Sequence, residues 1–251
     1  MIFRRAVAKL RAQNWVAITI ELVIVTVGVI IALAAQQWAQ KRDWSNTVAT
    51  DKAALRDELG EHYGYAVEFR VVYPCLQAQL HVLRDRVLSS GARLESAPIF
   101  SEPGSDFVFR KPVKFYPTDA WEEAINDGVV QRFDPAIRRQ FAGHYASLER
   151  LRTLEASNLD TEQALMALAQ PMPLDPAVRY GIVERIEQLS ARLQYLDTMN
   201  GQVIDYIEHI GMVPPARPVQ AITERYGTYL FCKAHSLPMR PFKEAMQAVP
   251  N

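Results

Sequence analysis

Residues 15–38 read WVAITIELVIVTVGVIIALAAQQW, twenty-four positions whose one formal charge is Glu21. As a helix at about 1.5 Å per residue this stretch covers about 36 Å, enough for a hydrocarbon core of about 30 Å and part of each interface. Trp15 and Trp38 bracket it, and indole rings favour the headgroup level, so both read as interfacial anchors. The flank 1–14 carries Arg4, Arg5, Lys9 and Arg11 without an acid, whereas residues 39–56 mix both signs, a bias that favours an N-terminus in the cytoplasm. A cleaved signal peptide is the competing reading, because Ala32-Leu33-Ala34 is a small-x-small triplet. The apolar run exceeds a typical signal core, contains Glu21 and continues through Gln36-Gln37 to Trp38, which favours an uncleaved anchor.

Glu21 lies about 9 Å along the helix from Trp15 and needs a partner or a proton there. Steps of three and four from Glu21 reach Val25, Gly28, Ala32 and Ala35, so small residues share the carboxylate's stripe. Two readings follow. The stripe admits a second helix, with a protonated Glu21 donating across the contact, or Glu21 snorkels to the interface and the small residues are incidental.

Beyond the span the pattern stays helical. Leu55, Leu59, His62, Ala66, Phe69, Tyr73, Leu76, Leu80, Leu83 and Val87 alternate spacings of four and three, a heptad seam carried through Pro74, where a bend near Val71–Tyr73 is expected. Asp134-Pro135 and Asp175-Pro176 each set a capping carboxylate before a proline at the first helical position. The first opens a helix running to about Gln170, with a slip of phase at Glu155–Asp160. The second carries a seam from Ile182 to Ile210 and stops at Gly211. Asn200 sits on that seam, where a buried amide fixes register or else contacts a ligand. Residues 91–118 are punctuated by four prolines and two glycines, with β-leaning pieces at 106–110 and 113–116. Asp119 and Glu122 form a capping box for a short helix over 120–127, ended by Gly128.

The expected fold is therefore all-α: a basic N-terminus (1–14), one transmembrane helix (15–38), and an elongated antiparallel helical bundle (39–211). An irregular or β-hairpin insertion occupies 91–118, and a C-terminal strap with one short helix occupies 212–251. The composition, 49% hydrophobic and 22% charged, is that of an ordinary folded chain and excludes wholesale disorder. The first four basic residues and Glu21 aside, 24 basic residues stand against 27 acidic ones, so nothing advertises nucleic acid as a partner. The two cysteines, Cys75 and Cys232, allow one bridge or two buried thiols, the bridge being favoured if the domain is periplasmic.

Asn14-Trp15, Glu21, Gly28, Ile31-Ala32-Leu33 and Gln37-Trp38, then Trp121-Glu122-Glu123-Ala124, Gly128 and His144-Tyr145, resemble the pattern of a family of uncharacterised bacterial single-pass membrane proteins, a domain of unknown function. Gln36 and Gln37 stand where that pattern has asparagine-like residues, and Pro74 is foreign to it. The resemblance implies a bacterial membrane setting and supplies no activity.

Chemistry is sparse. Glu58 and His62 at i and i+4 are the one close pair with metal-ligand character, and their place at the seam favours a structural pair. His81, His144, His209 and His235 lack ligand spacing and read as packing or surface residues. No nucleophile elbow, phosphate loop, dinucleotide glycine pattern or Cys-x-x-Cys occurs. The expectation is a single-pass bacterial inner-membrane protein without metal or cofactor. Its periplasmic helical domain works by contact with another protein, a lipid or a small ligand, a protein partner being a membrane protein or a second copy, and does not catalyse. A periplasmic sensing domain acting through a partner is the second reading, and a membrane-tethered enzyme the third.

Overall fold

The computed structural model describes residues 15–102 and 105–247, with side chains from Thr19 onward except Ser105. The basic stretch 1–14 and the side chain of Trp15 lie outside the described residues. The chain is 77% helical with few short strands. It divides into two compact units, Met1–Lys52 and Ala53–Asn251.

The first helix, α1, spans Trp15–Ser89 without a break. In the first unit its residues 19–40 are exposed throughout, and this is the one helix among the described residues long and apolar enough to cross a membrane.

In the second unit, nine of the ten seam positions from Leu55 to Val87 are buried, Tyr73 alone being half-buried. Burial also spreads off the seam to Val67, Val71 and Cys75, because this part of α1 is covered on more than one side. The helix passes through Pro74. Proline there lacks the N–H that would reach Arg70 O, and on the same loosened turn Val71 O accepts from the backbone N–H of Arg240 at 2.9 Å.

Between α1 and the next long helix lie β1 (Arg93–Leu94), β2 (Phe100–Glu102), β3 (Ser105–Phe107), and α2 (Asp119–Asn126). The strand β2 pairs antiparallel with β3, with Phe100 opposite Phe107. Only the start of the piece expected at 106–110 is strand, and 113–116 is not strand at all. Side chains hold the latter in its place: Lys114 Nζ reaches Glu68 at 3.0 Å and the Tyr116 hydroxyl donates to Asn200 Oδ1 at 2.8 Å. The cap of α2 is Thr118, not Asp119, and the Thr118 hydroxyl donates to Glu122 at 3.0 Å. Gly128, at φ +74, ends this segment in the left-handed conformation that glycine adopts without a Cβ penalty.

The helix α3 spans Pro135–Leu165, capped by Asp134 through Ala136 N–H at 2.7 Å, and ends five residues before the expected Gln170 in a tighter turn over Met166–Ala169. The two-residue strand β4 (Met172–Pro173) then pairs with β1. The helix α4 spans Pro176–Ile210, capped by Asp175 through the N–H groups of Ala177 and Val178, and closes at Gly211 with φ +79. Every expected seam residue of α4 from Ile186 to Ile210 is buried, and Ile182 is half-buried.

The order of contacts fixes the directions. Arg192 of α4 meets Asn158 of α3, and further along α4 Tyr206 lies against Gly143, so α3 and α4 are antiparallel. Gln77 pairs with Ser190, Arg84 with Glu187, and Arg179 donates to the carbonyls of Ser90 and Gly91, so α1 and α4 are antiparallel too. It follows that α3 runs parallel to α1, where a simple up-and-down order would alternate. The segment 90–134 is the crossover that returns the chain to its starting level.

Three short helices, α5 (Ala216–Thr223), α6 (Gly227–Ala234) and α7 (Phe242–Ala245), replace the single one expected after residue 212. Cys232 of α6 is disulfide-bonded to Cys75 of α1, with Cα atoms 6.0 Å apart and both residues fully buried. Arg240 makes a bidentate pair with Asp197 of α4, 2.8 Å to each oxygen, so the segment spans α1 and α4. The bridge closes a loop of 157 residues, for which chain entropy gives about 5 kcal/mol of stabilisation as an upper value. Replacing both cysteines with alanine is expected to lower the urea midpoint of the second unit's unfolding markedly while leaving helical content unchanged at room temperature; an unchanged midpoint would contradict this.

Candidate functional site

The residues expected to pair the membrane helix, Glu21, Gly28, Ala32 and Ala35, are all exposed, and a side chain built at Gly28 would meet nothing within 4 Å. Trp38 is 64% exposed, and the Arg42 guanidinium stands over its ring at 5.7 Å. A cation over an indole face is a favourable contact, and tryptophan and arginine both suit a membrane interface.

The chemically dense part of the second unit is a buried polar junction where α1, α2, α3 and α4 meet. Two side chains of α1 organise it. His62 Nε2 lies 2.7 Å from Pro117 O, and because a carbonyl only accepts, that nitrogen carries the proton. Burial lowers the His62 pKa to about 4, helped by nearby Arg152, so the ring is neutral and its Nδ1 is an acceptor. His144 Nε2, 3.0 Å away, must then be the donor. The His144 pKa is lowered to about 3 by burial and by His62, and its Nδ1 is left with a bare lone pair and no partner among the described residues. Each imidazole tautomer is thus assigned, by His144 Nε2–H to His62 and His62 Nε2–H to Pro117.

One turn earlier, Glu58 is buried in α1 and accepts from the Tyr145 hydroxyl of α3 and from Ala120 N–H of α2 at 2.9 Å. The carboxylate therefore caps α2 from another helix, satisfying donors that the first turn of a helix leaves free. Burial raises its pKa, and the hydrogen bonds from Tyr145, Ala120 and Trp121 oppose the rise. Trp121 stacks on Tyr145 at 4.8 Å and on Phe141 at 5.4 Å, closing the junction with aromatic surface. Asn200, fully buried, donates to Leu196 O at 2.8 Å and accepts from Tyr116, so it anchors the crossover to α4. His62, His144 and Asn200 expose no surface.

A second polar layer explains the slip of phase expected at 155–160. Lys111, from the crossover, reaches Glu162 at 3.1 Å, and Asn158 is buried where Arg192 approaches at 3.4 Å. Burial raises Glu155 to about 7, with Lys111 opposing and Glu162 adding to the rise. Polar groups, not apolar ones, occupy these inward positions.

The sequence reading found Glu58 with His62 and placed Asn200 on a seam, but it took His144 as isolated and did not connect Tyr116 or Tyr145. The adjacent His144-Tyr145 pair on a helix face was the available signal. No group of three or more His, Cys, Asp or Glu side chains suited to a metal ion occurs among the described residues. No protein-family model matches the chain, and comparisons with curated proteins and with solved structures find no match.

The two histidines and Glu155 carry opposite pH dependences. A histidine whose folded pKa lies below its ordinary value of 6.5 takes up its proton mainly in the unfolded chain. Its contribution to stability is whole above pH 6.5 and is lost as pH falls through about 4 for His62 and about 3 for His144. Glu155, raised from 4.5 to about 7, contributes fully below pH 4.5 and loses that contribution as pH rises through about 7. Urea titrations across this range should show His144→Gln flattening the acid-side loss and Glu155→Gln flattening the neutral-side loss; parallel curves for wild type and both variants would refute the assignment.

Proposed function

We propose that this chain is a single-pass bacterial inner-membrane protein with its N-terminus in the cytoplasm and its helical bundle in the periplasm. The bundle acts by contact with another molecule and not by catalysis. The observation that carries the location is the buried Cys75–Cys232 disulfide in a unit that follows a span-length apolar helix, since such bridges persist in oxidising compartments. Contact is the favoured mode because Glu58, His62 and His144, the titratable groups gathered at the junction, are buried away from solvent. Membership of the family of uncharacterised single-pass proteins, on the pattern from Asn14-Trp15 to His144-Tyr145, belongs to the same proposal.

The span pairs with a second transmembrane helix, a copy or a partner, along the stripe of Glu21, Gly28, Ala32 and Ala35. Glycine and alanine let two backbones approach, and a protonated Glu21 donates across the contact. Trp15 and Trp38 hold the helix at the two interfaces.

Reporter fusions after Trp38 and at the C-terminus, with the mass of the mature chain, test the topology. The expected result is an intact N-terminus and periplasmic reporters at both sites. A cytoplasmic C-terminus, or a mature chain beginning near Ala35, would discard it. Single-cysteine cross-linking along positions 17–39, in a chain with Cys75 and Cys232 replaced, should peak every three to four residues in phase with Gly28 and Ala32, whereas a flat profile would reject pairing.

A further inference from the structure

The second unit carries a groove of about 500 Å³ between the start of its α1 portion and the segment 211–226. Its floor is Gly60 and Gly64, one turn apart. Glycine weakens a helix interior relative to alanine, so a pair of them calls for a reason. Gly143 has one inside the protein, since a Cβ there would lie 2.7 Å from the Tyr206 ring. At Gly60 and Gly64 a Cβ would meet nothing within 4 Å. The space above them is left open, not filled by the fold.

The opposite wall is apolar and exposed: Val213 is 45% exposed and Ile222 50% exposed, with Pro214 and Pro218 beside them. Tyr226 closes one end, fixed from behind by the Lys114 ammonium 3.2 Å from its ring centroid, which is itself paired with buried Glu68. Asp57 and Glu61, one turn apart and both exposed, form an acidic rim, and Arg56 stands at the other end. The floor from Arg56 to Gly64 is about 12 Å long, the length of about two helical turns.

The geometry points to a docking site for an amphipathic helix of a partner protein. The helix approaches the bare backbone at Gly60 and Gly64 and lays apolar side chains against Val213 and Ile222. Basic residues on its flank meet Asp57 and Glu61, and an acidic one meets Arg56. This mode of recognition reads anchors at helical spacing, with flanking charge setting the direction of the bound helix. The inference deepens the proposed contact function by naming the surface and the chemistry of what it contacts.

The test uses the full chain in nanodiscs of zwitterionic lipid, with empty nanodiscs as reference. Two fluorescently labelled helical peptides are titrated by anisotropy, one with a leucine face flanked by lysines and the other with glutamates in place of the lysines. The lysine peptide is expected to bind saturably and the glutamate peptide about tenfold more weakly or worse. Gly64→Leu, whose Cβ meets nothing within 4 Å, puts an apolar side chain into the groove and should abolish binding at an unchanged or higher thermal midpoint. The surface variant Asp57→Lys/Glu61→Lys should reverse the preference between the peptides, and it decides the matter if Gly64→Leu fails to fold. Equal binding of both peptides, binding of neither, or binding indifferent to Gly64→Leu would overturn the proposal. Self-association of the full chain that Gly64→Leu abolishes would overturn it as well, by assigning the groove to a second copy. Peptide binding that survives a cytoplasmic reporter result would retain the groove and discard only the topology, so the two failures are distinguishable.

Discussion

A carboxylate inside a helical bundle must be met by donors, and the way Glu58 meets this requirement decides how the chain returns on itself. Its oxygens accept from the Tyr145 hydroxyl of α3 and from the Ala120 N–H in the first turn of α2. One turn on, His62 takes Pro117 O and the imidazole of His144. Three chain segments, up to 87 residues away, are tied to one turn and a half of α1. An unsatisfied buried carboxylate or imidazole would cost more than a typical hydrogen bond gains, so the junction tolerates few alternatives. The crossover 90–134 is therefore held to the level at which it ends, and α3 passes Glu58 and His62 of α1 at Tyr145 and His144.

From that constraint the remaining packing follows. With α3 parallel to α1, one antiparallel helix can lie against both, and α4 does so through a seam buried from Ile186 to Ile210. The strap supplies what three helices leave uncovered. It reaches α1 by the disulfide and the Val71 carbonyl, and α4 by the bidentate Arg240–Asp197 pair. The turn at Pro74 is thereby joined to the strap through Val71 O.

The periodic features of this molecule were legible because they are local. Seams on α1 and α4, the Asp134 and Asp175 caps, and the stops at Gly128 and Gly211 each depend on residues within a few positions. What was not legible depends on distance in sequence. His62 and His144 are 82 residues apart, and nothing in the spacing of either says that they face one another. Thr118 and Asp119 are both good cap residues, and the N–H of Ala120 is met by Glu58 from another helix, which no local signal shows. The interruption at Glu155–Asp160 was visible as a loss of apolar phase, but its cause, Lys111 arriving from the crossover, was not. The strands at 93–94 and 172–173 need each other across the chain and have no local signature.

The parallel course of α1 and α3 also bears on the order in which the chain is assembled. A ribosome makes α1 before α3 and α4, and of its packing partners only the crossover follows it directly. The pair α3 and α4, joined by a short connection, closes locally and with little loss of chain entropy. The helix α1 thus waits for α3 and α4 to complete its packing. Until then it presents Leu55, Leu59, Leu76 and Leu80 to whatever surrounds it. A chain built this way has its period of greatest exposure during synthesis, well before the last helix and the strap exist.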